Sequence, residues 1–263
     1  MPWSHHSHSG QFCGHATSTL EEVVQTAIQK GMTTFCMTEH MPREEVDFYP
    51  EEADHHTEES LAKLFDDYYH EARRLQKAYA DKIHIFVGFE GEWTRDSSAT
   101  LIARLQNRYA MDLFVGSVHH VHTVPIDYDD ITYRKARKLA RHDTDESLFA
   151  DYFEEQRKML LTLKPPVVGH FDLIRLKSDD PERSFKTWPA IWKQMTENMK
   201  LIADYGGIME LNSASLRKGM SECYPQVEIC AVSDPSLAQV LVLWQLTHDK
   251  GLSRDGWTFH TVR

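Results

Sequence analysis

Four imidazoles and a thiol fall within the eleven positions from His5 to His15, namely His5, His6, His8, Cys13 and His15. The His6-x-His8 pair has the alternation that places two side chains on one face of an extended strand, where together they can grip a metal ion. Serines interrupt the run, which leads into Cys13-Gly14-His15 and a capped helix, unlike the homogeneous histidine run of a purification tag. Further candidates follow at wide intervals: His40, Glu90, His119 and His170. Five or six imidazoles and a carboxylate exceed what one tetrahedral ion can use, so more than one ion is expected, with Glu90 a natural bridge. Bound cations lower the pKa of water and polarise a phosphoryl oxygen, so this inventory best suits hydrolysis of a phosphate ester. No covalent nucleophile is then required. The chain also lacks a G-x-S-x-G elbow, a Walker A loop and a G-x-G-x-x-G turn, the parts that acyl transfer, nucleotide-driven work and dinucleotide redox chemistry would need.

The elements that must position these residues alternate between strand and helix. Ser18 or Thr19 can cap a helix to about Lys30, and the apolar run Met32 to Met37 is a buried strand delivering Thr38-Glu39-His40. The acidic segment Glu44 to Glu59 has no clear periodicity and is expected to be a surface loop, with His55 and His56 solvated. An amphipathic helix from about Ser60 to Tyr79 precedes a strand, Ile83 to Val87, which would bend at its glycines to present Glu90. A helix near Ser97 to Tyr109 and a strand from Leu113 to Val118 deliver His119, and Pro125 to Arg141 is expected to be an excursion beyond the rim. A helix from Asp145 to Leu163, a strand at Val167-Val168 ending in His170 and Asp172, a helix from Pro189 to Tyr205 and a strand from Gly207 to Leu211 complete the series. That last strand ends near Glu210, Asn212, Ser213 and Arg217. Strand followed by helix, with polar residues at successive carboxyl ends, predicts an α/β barrel with a metal centre at its carboxyl mouth.

The chain has 263 residues, 41% of them hydrophobic, which is enough for one sizeable core and suits a single barrel. A formal charge of -11 argues against a general nucleic-acid or anionic-membrane surface, so an anionic substrate needs metals or a few chosen arginines. With 16 His against 4 Cys and no C-x-x-C pair, imidazole rather than thiolate is expected to carry metal chemistry. No apolar run approaches the length of a bilayer span and no secretory signal opens the chain, so a cytoplasmic protein with reduced thiols is expected.

Seven segments in order carry a family resemblance: His6-x-His8-Ser9, Cys13-Gly14-His15-Ala16, Thr38-Glu39-His40, Gly88-Phe89-Glu90, Gly116-Ser117-Val118-His119, Gly169-His170-Phe171-Asp172-Leu173 and Asn212-Ser213-Ala214-Ser215-Leu216-Arg217-Lys218. They resemble the motifs of the PHP (polymerase and histidinol phosphatase) superfamily, in its histidinol-phosphatase branch of histidine biosynthesis. The resemblance implies a distorted seven-stranded β/α barrel and a cluster of three divalent ions, zinc, manganese or iron. It also implies hydrolysis of L-histidinol phosphate to L-histidinol and phosphate. Carried over by position, His6 and His8 would bind one ion, His15, His40 and His170 would contribute to another, and His119 would complete a third, with Glu90 bridging. Glu39 stands where the family more often has Asp. Arg217 is the candidate clamp for the substrate phosphate, with Asn212 a further substrate-binding residue; for Arg175 a substrate contact and a rim salt bridge stand as equal readings.

The resemblance runs to Pro225, giving a phosphatase domain over 1–225 and an atypical tail over 226–263. The family's closing Ser-Asp-x-His is matched only by Ser233-Asp234-Pro235-Ser236, so Asp234 is the remaining candidate ligand. Its spacing after Pro225 is too short for a helix and strand between them, which predicts a missing or altered last strand. Two other readings compete with the phosphatase: a degenerate member that binds or regulates without catalysis, and another phosphoesterase of the same superfamily. The oligomeric state is left open.

Overall fold

Short runs of apolar and β-branched residues form the strands, and a computed structural model describes residues 3–232 and 242–244. The strands are β1 (Trp3–Ser4), β2 (Thr34–Met37), β3 (His84–Glu92), β4 (Leu113–Ser117), β5 (His120–Val121), β6 (Val124–Pro125), β7 (Val167–Val168), β8 (Ile208–Leu211) and β9 (Val242–Trp244). Seven of them make one parallel sheet in the order β1-β2-β3-β4-β7-β8-β9, while β5 and β6 pair as a separate antiparallel hairpin. The sheet curls until its edge strands β1 and β9 meet, giving the distorted β/α barrel that the alternation predicts. Because the strands are parallel, their carboxyl ends share one rim.

The helices coat the outside: α1 (Leu20–Gln29), α2 (Pro50–His55), α3 (Glu58–Ala78), α4 (Ser98–Arg108), α5 (Asp130–Leu139), α6 (Asp145–Leu163), α7 (Pro189–Asp204), α8 (Ala214–Arg217) and α9 (Val227–Cys230). Thr19 and Glu22 close a reciprocal capping box on α1, and Leu20, Val23, Val24 and Ala27 face inward at helical spacing. On α3, Leu61, Phe65, Tyr68, Ala72 and Leu75 form the buried stripe. The Tyr68 hydroxyl stands 2.7 Å from the carbonyls of both Met37 and Gly88, tying the helix to the ends of two strands that lead into the site. Each such Leu or Phe contributes roughly 1.5–3 kcal/mol when fully buried. The helical coat therefore holds the strand ends in register.

Four sequence-based expectations change. Strand β3 does not stop at Val87 but continues through Glu92, so Glu90 lies within a strand rather than on a loop. A Cβ on Gly88 would stand 2.5 Å from the Leu113 carbonyl, so this glycine serves close strand packing and not a bend. The acidic segment after Arg43 contains a 3-10 turn, Glu45–Asp47, and helix α2, with Asp47 buried. The excursion after Pro125 is helix α5, which buries Tyr133 and Ala136 against α6. Finally, of the two alternatives for the last strand, missing or altered, the missing one falls: a seventh strand, β9, pairs in parallel with β8, Met209 opposite Val242 and Leu211 opposite Trp244. It enters after α9, further along the chain than the spacing to Ser233 suggested.

Candidate metal centre

Ser7 and Ser9 explain why the histidine run is interrupted. Ser7 N–H donates to Thr38 Oγ1 at 2.9 Å and its hydroxyl to the Cys36 carbonyl at 2.8 Å, while Ser9 gives both N–H and hydroxyl to Glu39 Oε1 at 2.7 Å. The loop after β1 is thereby bolted to β2, with His6 and His8 turned toward the barrel axis. On the opposite wall, a Cβ on Gly169 would stand 2.6 Å from Ser117 Oγ, so only glycine lets the chain pass this close to β4 and deliver His170.

Glu90, 1% exposed, sits between two banks of imidazoles. Its Oε2 lies 3.2 Å from His6 Nε2, 3.2 Å from His8 Nε2 and 3.0 Å from His40 Nδ1. Its Oε1 lies 3.0 Å from His170 Nε2 and 3.5 Å from His119 Nε2. The ring nitrogens crowd each other as well, at 2.9 Å between His6 and His8 and 3.1 Å between His119 and His170. Glu90 Oε2 and His40 Nδ1 are buried without an aligned hydrogen bond despite these approaches. A convergent set of imidazole nitrogens around one carboxylate fits divalent cations. Among the described residues four groups have donor atoms mutually within 4.8 Å: His6/His8/Glu90, Glu90/His119/His170, His40/Glu90/Glu92 and His8/Cys13/His15/His40.

A second layer aims the rings. Glu210 Oε1 is 3.0 Å from His6 Nδ1, and its Oε2 accepts from His170 N–H at 2.9 Å; Glu39 Oε2 is 3.3 Å from His8 Nδ1. Carboxylates behind Nδ1 leave Nε2 of His6 and His8 directed at the centre, the pattern that fixes tautomer and orientation at metal sites. Glu92 lies 2.8 Å from His40 Nδ1 and is gripped by two nitrogens of Arg43, which also pairs with Glu52 and stacks over Tyr49.

The electrostatics follow from this crowding. Burial would depress His6, but Glu90 and Glu210 outweigh it and raise it to about 10; His40 and His119 rise for the same reason. Burial would raise Glu90, but His6, His119 and His40 hold it well below the usual carboxylate range. Desolvation, with His40 and His8 adding to it, pushes His15 down to about 2. The metal-free centre at neutral pH thus favours protons on His6, His40 and His119, while burial pushes His15 and His170 down. The stability contributed by protonated His6 is fully present below its unfolded value and is lost as pH rises through about 10. Metal must displace these protons. Titrating zinc into metal-free protein in weak buffer at pH 7 should release more than one proton per protein; a pH-stat showing no release at pH 7 would refute this charge assignment.

The structure brings His6, His8, His15, His40, Glu90, His119 and His170 to one cleft of about 690 Å³, which Asn212 and Arg217 also line. The grouping differs from the expected one, since His170 falls with His119 on Glu90 Oε1 and not with His15 and His40. Asn212 donates to Glu210 and its side-chain oxygen accepts from Ala214 N–H, so its amide orients Glu210 and opens α8. Arg175 is a correction: it does not line the cleft but is 1% exposed, bonded to Asp172 and to the carbonyls of Pro181, Glu222 and Cys223. Its role is internal. Asp234 lies outside the described residues, as do His248 and Asp249. Sequence reasoning missed Glu92, although the spacing Glu90-x-Glu92 on a strand puts both carboxylates on one face. It also missed the roles of Glu39 and Glu210, whose partners are distant in sequence.

The family profile described as the PHP domain matches residues 4–214. The chain belongs to the PHP family. Among its curated PHP relatives, a Schizosaccharomyces pombe protein named "Probable histidinol-phosphatase" is 47% identical over 100% of this chain and 85% of its own length. Saccharomyces cerevisiae histidinol-phosphatase is 32% identical over 99% of this chain and 86% of its own. Two solved structures share the fold. The hisK protein of Listeria monocytogenes has a TM-score of 0.78 at 21% identity, covering 92% of this chain and 93% of that one. Histidinol phosphate phosphatase of Lactococcus lactis, solved with zinc, L-histidinol and phosphate, has a TM-score of 0.64 at 17% identity, covering 92% of this chain and 84% of that one. Among the described residues no helix is long and apolar enough to cross a membrane.

Proposed function

We propose that this PHP protein is a metal-dependent phosphomonoesterase that hydrolyses L-histidinol phosphate to L-histidinol and phosphate. The observation that carries the reading is Glu90, buried between His6, His8 and His40 on one oxygen and His119 and His170 on the other, at the floor of an open cleft. The relatives over the full chain carry its substrate. Three divalent ions are proposed, at His6/His8, at His15/His40 and at His119/His170, with Glu90 shared; zinc, manganese and iron all suit imidazole and carboxylate donors. When bound, such cations polarise a phosphoryl group and lower the pKa of water.

The chain's own residues do the rest. Arg217 and Lys218 line the cleft where α8 ends and supply positive charge for the phosphate. Asp127 lines the same cleft with one carboxylate oxygen, Oδ1, buried and without a hydrogen-bond partner among the described residues. That oxygen suits the ammonium of an amino alcohol. Glu39 and Glu210 hold His8 and His6 in place, so a reacting phosphate meets rigid donors.

The deciding experiment is phosphate release from L-histidinol phosphate by metal-loaded protein, compared with nucleoside monophosphates. Release from neither by a fully metallated protein would favour the binding-only alternative. Arg217→Ala should raise KM for L-histidinol phosphate by about 10–100-fold with a smaller change in kcat, the size expected of one charge-assisted hydrogen bond. An unchanged KM would remove Arg217 from the phosphate site.

A further inference from the structure

Cys13 is the one thiol at the cleft, and neither its neighbours' chemistry nor the resemblance gives it a task. It is 8% exposed, and its Sγ lies 3.0 Å from His15 Nδ1 and 3.2 Å from His15 Nε2. The ring of His15 faces that of His40 at 5.2 Å and that of His8 at 5.4 Å, while His8 and His40 stack at 4.2 Å. Donor atoms of His8, Cys13, His15 and His40 all fall within 4.8 Å of one another, the compactness a four-coordinate ion requires. The other three thiols are elsewhere: Cys36 is buried in β2, and Cys223 and Cys230 lie in the segments on either side of Pro225. The three other donor groups at the centre each offer three side chains, all imidazole or carboxylate.

We propose that Cys13 is a thiolate ligand completing a closed four-donor site with His8, His15 and His40, which takes a thiophilic ion such as zinc or cobalt in preference to manganese. The inference rests on the metal-cluster reading above and changes one assignment in it: His8 goes to the Cys13/His15/His40 ion, which leaves His6 and Glu90 for the neighbouring one. A site with four protein donors has no open position and holds its ion without offering it to substrate, whereas three-donor sites keep a position open. Sulfur also separates the ions, since soft ligands select zinc or cobalt over manganese and carboxylate-rich sites do not. Binding moves the Cys13 thiol proton to solvent and makes one sulfur–metal bond. No electron is transferred.

The test uses the whole chain, stripped of metal and titrated anaerobically with cobalt(II). Wild type should develop a thiolate-to-cobalt charge-transfer band in the near ultraviolet that saturates with one equivalent. Cys13→Ser should keep the visible cobalt bands of the other sites, lose the charge-transfer band, and lose at least about 10-fold of the zinc-over-manganese preference. Zinc-edge X-ray absorption of the wild type needs no variant and should show a sulfur neighbour at about 2.3 Å. Visible cobalt bands without charge transfer, a band that persists in Cys13→Ser, or a zinc shell free of sulfur would each overturn the Cys13 assignment while leaving the cluster standing. Failure to take up any cobalt or zinc would overturn both.

Discussion

Glu90→Gln is expected to lower turnover of L-histidinol phosphate by about 10³-fold or more, with the fold retained. The side chain is nearly the same size, and the strand pairing of Glu90 with Val115 uses backbone groups that the substitution leaves alone. What changes is charge. A single buried carboxylate faces five imidazoles, on both of its oxygens, and an amide would replace one of those oxygens by a donor aimed at nitrogens or cations. The bridge between the two banks would be lost on at least one side. The comparison requires kcat, elemental analysis of the purified variant and circular dichroism together. A variant with full metal content and turnover within about tenfold of wild type would mean that Glu90 does not bridge.

The contrast between what could and could not be read in advance follows from how far each partner lies along the chain. His6 and His8 were legible because their joint face depends only on strand alternation, and His40, His119 and His170 because short apolar runs delivered them to one rim. Glu90 was legible as a member of the site but misplaced onto a loop: glycine in Gly88-Phe89-Glu90-Gly91 reads as a breaker, whereas in the fold Gly88 admits the Leu113 carbonyl. Glu210 and Glu39 act through contacts 204 and 31 residues away, to His6 and His8, and no local pattern announces that. The grouping of His170 with His119 is likewise a product of strand order, β4 beside β7, which spacing alone does not supply. The position of the final strand was not legible because its register comes from pairing with β8 and not from any motif.

Arg175 shows the same limit in a residue whose removal should be strongly destabilising. Arg175 follows the Gly169-His170-Phe171-Asp172-Leu173 motif, and in the sequence a substrate contact and a rim salt bridge suit it equally. In the fold the guanidinium is buried, its Nε 2.9 Å from Asp172 Oδ2, with the carbonyls of Pro181, Glu222 and Cys223 on its other nitrogens and Tyr224 at 5.0 Å beneath. Asp172 is wholly buried and accepts in addition from Gln226 N–H at 3.0 Å. The pair therefore staples the turn after β7 to the segment carrying Tyr224, which lines the cleft beside His170. Arg175→Ala would leave the Asp172 carboxylate buried without a counter-charge and three carbonyls short of donors, a loss of about 3–5 kcal/mol. For a domain of this size that corresponds to a melting temperature lower by on the order of 10 °C. Arg175→Lys should recover little of it, because an ammonium keeps the charge but cannot reach the same carbonyls in one plane. Below its melting temperature the variant should bind L-histidinol phosphate with KM within about twofold of wild type, since Arg175 does not line the cleft. The opposite result, an unchanged melting temperature with a much higher KM, would return Arg175 to the substrate site and overturn its assignment as an internal staple.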